Sequence, residues 1–225
     1  MAKIKLVVFD MAGTVVDENN VVYKTLQKAI SEKVVEVSLE WVLALGAGKE
    51  KKQAITDILA EFAPGADEVK VEEAYQHFAK LLDDAYSDLD VKPQPGTLEI
   101  FEWLSEKGIK SALNTGYSRA VAEGLISKLG WQQGKDFDLL VTASEVSKAR
   151  PAPDMIFLAK EKLGIASDNQ IAKIGDSIID IEEGKNANCG LTIGITTGAH
   201  TRSQLLTANP DHIINNLEEL KSLID

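Results

Sequence analysis

Short apolar runs recur along the chain at Ile4–Phe9, Ile109–Asn114, Leu139–Thr142, Ile171–Ile174, Leu191–Ile195 and His212–Ile214. Their length and β-branched content predict buried strands, and the later ones are separated by stretches with helical spacing. That alternation is the mark of βαβ units, so the expected fold class is α/β with a Rossmann-like parallel sheet. The first two strands break the rhythm, because far more chain lies between them than one crossover helix needs. The pattern in this gap is helical throughout, at Val21–Lys33, Leu39–Leu45, Lys49–Phe62 and Val69–Ser87, until "KPQPG" at 92–96 supplies turn chemistry. The expected organisation is therefore a catalytic core from residues 1–17 and 93–225, with an inserted α-helical cap at 18–92. A cleft between cap and sheet is the natural place for a site.

Composition narrows this picture more than it extends it. At 225 residues the chain suits one domain, or one domain with a large insertion. A formal net charge of −11, with no basic stretch to offset it, argues against a nucleic-acid partner. Cys189 is the single cysteine, so no intramolecular disulfide can form and a reducing cytoplasm is the simplest location. The N-terminal apolar run meets Asp10 at once, which reads as a strand rather than a signal peptide or a membrane span.

Ligands of parallel sheets bind beyond the carboxyl ends of the strands. The first run ends in Asp10, followed by Gly13 and Thr14 in a turn; the second leads to Thr115 and Gly116 in "NTGYSR", ahead of a helix whose free N–H groups favour an anion. The third leads to Lys148 and Arg150 in "SKARPAPD". The fourth ends in Gly175–Asp176, with Asp180 four residues on and on the same helix face. Each alone has a bland reading as a helix cap, a turn or a surface loop; together, in order and each at a strand end, they describe a phosphoryl-transfer site. Two aspartates from different strands offer the hard oxygen donors that suit Mg²⁺, and Asp180 could orient them from behind. Asp10 is then the nucleophile that forms an aspartyl-phosphate, and Thr115 and Arg150 hold the phosphoryl oxygens.

Taken together, these segments resemble the four motifs of the haloacid dehalogenase superfamily. Within it they are most similar to the phosphonatase-like (phosphonoacetaldehyde hydrolase-like) branch. Asp10–Met11–Ala12–Gly13–Thr14 matches its DxAGT, Thr115–Gly116–Tyr117 its TGY, Arg150 its arginine in place of the usual lysine, and Gly175 to Asp180 its GDxxxD. The resemblance implies a Rossmann-like core, a helical cap and Mg²⁺ held by Asp10, the Ala12 backbone carbonyl and Asp176, with Thr14, Gly116 and Tyr117 binding substrate. It also implies a reason for Ala12, which stands where ester-cleaving relatives carry a second acid to protonate the leaving group. Phosphonatases cleave a C–P bond through a Schiff base on a cap lysine, which draws electrons from the departing carbon without that acid.

Three cap lysines compete for this role. On a helix Lys51 shares a face with Ala54, Ile55, Ile58 and Phe62, whereas Lys49 falls with Gln53 and Thr56. Flanking Lys49 and Lys52, with partial burial, are expected to push the Lys51 pKa down and so supply the neutral amine. Two positions depart from the phosphonatase pattern: Asn20 stands where a cysteine follows the first motif, and Ala54 where a histidine follows the cap lysine. His77, His200 and His212 read as ordinary. The alternative is a phosphatase of small phosphorylated metabolites, phosphoglycolate-phosphatase-like or acting on acyl phosphates, whose good leaving groups also tolerate Ala12. A signalling receiver domain phosphorylates an aspartate too, but the long cap and the late acid pair argue against it. The expected partner is a small phosphonate or phosphate substrate, with no membrane; homodimer formation is left open.

Overall fold

The computed structural model describes residues 3–224. Its strands are β1 (Leu6–Asp10), β2 (Val16–Asp17), β3 (Lys92–Pro93), β4 (Lys110–Thr115), β5 (Leu139–Thr142), β6 (Ile171–Gly175), β7 (Leu191–Ile195) and β8 (His212–Ile214). Six of them form one parallel sheet in the order β5-β4-β1-β6-β7-β8. All six apolar runs read from the sequence are strands here. Strand β1, which ends in Asp10, therefore lies near the centre, with chain order reversing on its two sides.

Both faces of the sheet are covered, which is why its strands read as continuous apolar runs. Period-two alternation divides β1: Val7 and Phe9 join a core with Ile100 and Leu104 of α5 (Thr97–Glu106), while Leu6 and Val8 join another with Met155 and Ile156 of α7 (Asp154–Lys162). Phe9 meets Phe101 edge-on at 5.6 Å between ring centres. Both aromatic side chains are nearly inaccessible.

Between β2 and β3 lie four helices: α1 (Val21–Lys33), α2 (Leu39–Gly46), α3 (Lys51–Phe62) and α4 (Glu68–Asp88). α1 packs on α4, and α2 on α3. β2 and β3 pair antiparallel, Val16 with Pro93 and Asp17 with Lys92. The chain thus leaves and re-enters the core through a two-stranded ribbon, at the residues where the sequence pattern changes. This ribbon was not read from the sequence, because a two-residue strand leaves no periodic signal. Among the described residues no helix is long and apolar enough to cross a membrane.

Candidate active site

The carboxyl ends of β1, β4 and β6 bring the sequence-selected residues to one edge. Asp10, Asp176 and Asp180 are all buried and present oxygens within 4.8 Å of one another. Gly13 makes this crowding possible. It holds a left-handed φ of 85°, and a Cβ there would come within 2.8 Å of the Asp176 carboxyl carbon.

Asp180 differs from the other two. It caps α8 (Ile178–Asn186) in reciprocal fashion with Ser177, accepting from the Ser177 backbone N–H and hydroxyl through Oδ2. Its Oδ1 lies 3.0 Å from Arg150 and 2.9 Å from Lys173. These cations hold its pKa below the ordinary carboxylate value despite full burial. With Oδ2 bound to Ser177 and Oδ1 facing two cations, Asp180 is positioned to orient its neighbours. By contrast Asp10 and Asp176 are pushed upward, first by burial and then by each other or by Asp180. Asp176 accepts from the Ala199 N–H at 2.6 Å.

Arg150, expected to hold phosphoryl oxygens, is engaged with protein groups in this structure. Its guanidinium donates through Nε to Glu183 at 3.0 Å, through Nη1 to Asp10 at 2.7 Å, and through Nη2 to the Asn114 carbonyl at 2.8 Å and the Asn114 side chain at 2.6 Å. A guanidinium has five N–H donors in a fixed fork; with the Gly48 carbonyl 3.5 Å from Nη1 as the fifth acceptor and Asp180 beside it as an ion pair, protein groups face them all. Arg150 therefore fixes Asp10 in this structure and aims no donor at a phosphoryl group. Lys173 and Glu183, which sequence reasoning missed, complete the network: Lys173 donates to the Asn114 side chain at 2.7 Å, and Asn114 donates to Glu183 at 2.9 Å. A lysine inside an otherwise apolar buried strand was the available signal.

The network tests whether a cation belongs here. Asp10, Asp176, Asp180 and Glu183 are four buried carboxylates facing two buried cations, Arg150 and Lys173. The shortfall is two positive charges, and it falls on the all-oxygen side of the site. That fits a hard divalent ion held by Asp10 and Asp176, and poorly fits a soft one.

The residues expected to face phosphate are close by. Thr115 is buried, and its hydroxyl accepts from the Tyr117 N–H at 3.2 Å, leaving its proton to donate. α6 (Arg119–Lys128) begins later than the motif suggested and is capped by the Ser118 hydroxyl. Gly116 faces the other side of the cleft: a Cβ on it would lie 2.8 Å from the Lys49 carbonyl oxygen and 3.1 Å from that of Gly48. Thr14 is fully buried, and its hydroxyl is the only buried one without a hydrogen-bond partner among the described residues. Ala12 lies in the turn after Asp10 and presents only a methyl group.

From the helical insertion comes Lys51. It is buried at the first position of α3, ahead of Ile55 and Ile58 on the same buried face. Its Nζ donates to the Lys49 carbonyl at 2.6 Å and stands 5.3 Å from the Tyr23 ring centre and 5.4 Å from that of Tyr117. Burial lowers its pKa to about 8. Of the expected causes burial leads, whereas Lys49 and Lys52 are turned away to Asp57 and Glu72 and the cation that adds to the shift is Arg150. α3 also starts at Lys51, two residues later than the pattern suggested, because the Glu50 side chain caps it. Ala54, at the position of the family's histidine, is fully buried. His200, read as ordinary, accepts from the Ile178 N–H through Nδ1 and its Nε2 meets the Leu43 carbonyl of α2 at 3.2 Å, tying the β7 loop to the insertion.

A cleft of about 420 Å³ opens beside Lys51, Gly116 and Tyr117, between Phe78, Leu82 and Tyr86 of α4 and Val121 and Leu125 of α6. Most of its wall is aromatic or aliphatic.

A family model described as haloacid dehalogenase-like hydrolase matches residues 7–193. A phosphonoacetaldehyde hydrolase of Parabacteroides distasonis is 32% identical over 220 residues, covering 89% of this chain and 79% of that one. One from Bacillus cereus is 31% identical over 207 residues, covering 88% and 77%. Among solved structures, a hydrolase from Pseudomonas syringae superposes with a TM-score of 0.86 at 19% identity, over 98% of this chain and all of the other. A phosphonoacetaldehyde hydrolase-like protein from Oleispira antarctica gives 0.84 at 22% identity, over 99% and 92%. At these identities the structural likenesses speak for the fold alone.

Proposed function

The chain belongs to the haloacid dehalogenase-like hydrolases, and on that premise we propose that it cleaves the C–P bond of phosphonoacetaldehyde or a related 2-oxoalkylphosphonate. The observation that carries this reading is a buried amine of lowered pKa, Lys51, within electrostatic reach of Asp10, with Ala12 where an ester-cleaving enzyme needs an acid. The relatives named phosphonoacetaldehyde hydrolase support it.

The steps follow from these groups. Neutral Lys51 adds to the substrate carbonyl, and loss of water leaves an iminium. Asp10, aligned by Arg150, attacks phosphorus; the C–P electron pair moves onto the iminium and carbon departs as an enamine, so no proton is required at Ala12. Thr115 and the Gly116 N–H hold phosphoryl oxygens, with Thr14 and Tyr117 contacting the substrate. Water then hydrolyses the aspartyl-phosphate, the enamine carbon takes a proton, and hydrolysis of the imine frees Lys51. Mg²⁺ held by Asp10, the Ala12 carbonyl and Asp176, when bound, would screen the charge of nucleophile and phosphoryl oxygens. Asp180 and Lys173 keep the carboxylates and Arg150 in register. The apolar cleft receives the organic part of the substrate, residues 18–92 acting as a cap over the core.

A panel of phosphonates and phosphate esters assayed with Mg²⁺ tests the reading. Release of phosphate and aldehyde from phosphonoacetaldehyde supports it. Brisk ester or acyl-phosphate hydrolysis without C–P cleavage would replace it with the phosphatase alternative, to which Asn20 and Ala54 also point.

A further inference from the structure

Glu18 is a buried carboxyl that the steps above leave unused. It follows β2 directly, is 2% exposed, and accepts through Oε2 from the Val22 N–H at 3.0 Å and from the Tyr86 hydroxyl at 3.3 Å. The Tyr86 hydroxyl also lies 3.3 Å from that of Tyr117. Tyr117 is the residue whose ring faces Lys51 Nζ. Three polar groups from the ribbon, from α4 and from the β4–α6 loop thus form one line that ends on the tyrosine whose ring lies 5.4 Å from the amine. A helix-capping role would account for the Val22 bond; it would not account for a chain of hydroxyls leading from a sequestered acid to the tyrosine that faces the amine.

We propose that Glu18, acting through Tyr86 and Tyr117, supplies the proton that carries oxygen away as water when Lys51 forms its imine, and takes it back when the imine is hydrolysed. The proposal rests on the Schiff-base reading above. With Glu18 protonated, its O–H donates to Tyr86, Tyr86 donates to Tyr117, and the Tyr117 hydroxyl points its proton onward. One proton passes along the line to the carbinolamine oxygen, its C–O bond breaks, and water leaves with the iminium in place. The polarity of the line is then reversed. When water later adds to the product iminium and the C–N bond breaks, the released proton returns and restores the first state, so the cycle balances.

The charges around Glu18 suit a group that must change state. Asp17 lies beside it in the chain, Tyr23 faces it from α1, Lys51 from α3, Tyr86 from α4 and Tyr117 from the core. Burial raises Glu18 to about 7, and burial keeps all three tyrosines neutral at that pH. Glu18 is the donor when protonated and Lys51 the nucleophile when neutral. Imine formation should therefore rise toward pH 7, peak between about 7 and 8, and fall at higher pH.

The test is the rate of borohydride-trapped adduct formation with phosphonoacetaldehyde, measured against pH on the full chain. Glu18→Gln keeps an acceptor for Val22 and Tyr86, and Tyr86→Phe keeps the bulk while breaking the line. Each should trap about 10²-fold more slowly at pH 7. Each should also lose the alkaline fall, reaching a plateau above the Lys51 pKa, which a change in packing alone would not produce. Wild-type rate and pH profile in both variants would overturn the inference and leave the Schiff base standing. No adduct in the wild-type protein would overturn the Schiff base and the inference with it.

Discussion

At pH 7 an amine of pKa about 8 is roughly one-tenth neutral, against about one part in a few thousand for an unperturbed lysine. Removing Lys51 from water thus yields several-hundredfold more nucleophile, and C–P cleavage limited by imine formation should depend on this fraction. Lys51→Arg keeps the charge and the contact with the tyrosine rings but not the nucleophile; phosphate release from phosphonoacetaldehyde should vanish in a coupled assay while the circular dichroism stays unchanged. Asp10→Asn should lower kcat by about 10³-fold or more, equivalent to ~4 kcal/mol of transition-state stabilisation, and near-wild-type turnover would remove Asp10 from its role. Both residues were legible in the sequence, because a strand end and a helix face are local facts. Glu18, Tyr86, Lys173 and Glu183 were not, since each acquires its meaning from a partner far along the chain. Arg150 was found, but its partners were not legible: a sequence shows a cation at a strand end without showing that Asn114, Asp10 and Glu183 engage it in this structure.

Between elements, the closest approach that matters is Gly116 against the Gly48–Lys49 backbone. Gly116 has a backbone conformation open to any residue, so Gly116→Ala introduces a steric effect without strain. The added methyl should push the loop before α3 away from β4 and displace Lys51 from Asp10. Displacements near 1 Å cost about 10²-fold in rate, so kcat/KM should fall by that order with little change in the urea midpoint. A comparable loss of stability would show the loop to be packing and not positioning. The central strands were legible as short, continuously apolar runs and the long helices because each repeats its period several times. The β2–β3 ribbon and the true start of α3 were not. One is set by pairing across the whole insertion, the other by a single glutamate side chain folding back onto two amides.

For the whole molecule, the buried charges set the largest constraint. Four buried carboxylates and two buried cations meet at one sheet edge, and a divalent ion bound there would relieve the excess of negative charge. Mg²⁺ at 100 times its dissociation constant should add about 2.7 kcal/mol to stability, a rise of roughly 5–10 °C in Tm for a chain of this size. Asp176→Ala should abolish the shift; a wild-type Tm indifferent to Mg²⁺ would remove the metal from the site. The central claim is that this hydrolase joins an aspartate nucleophile in the core to an imine-forming lysine in the insertion. Its most direct measurement is borohydride reduction in the presence of phosphonoacetaldehyde, followed by peptide mass mapping. One reduced two-carbon adduct on Lys51, with loss of activity in proportion to labelling, is the expected result. A label on Lys49 or Lys52, or an unlabelled enzyme that still hydrolyses phosphate esters, would contradict it.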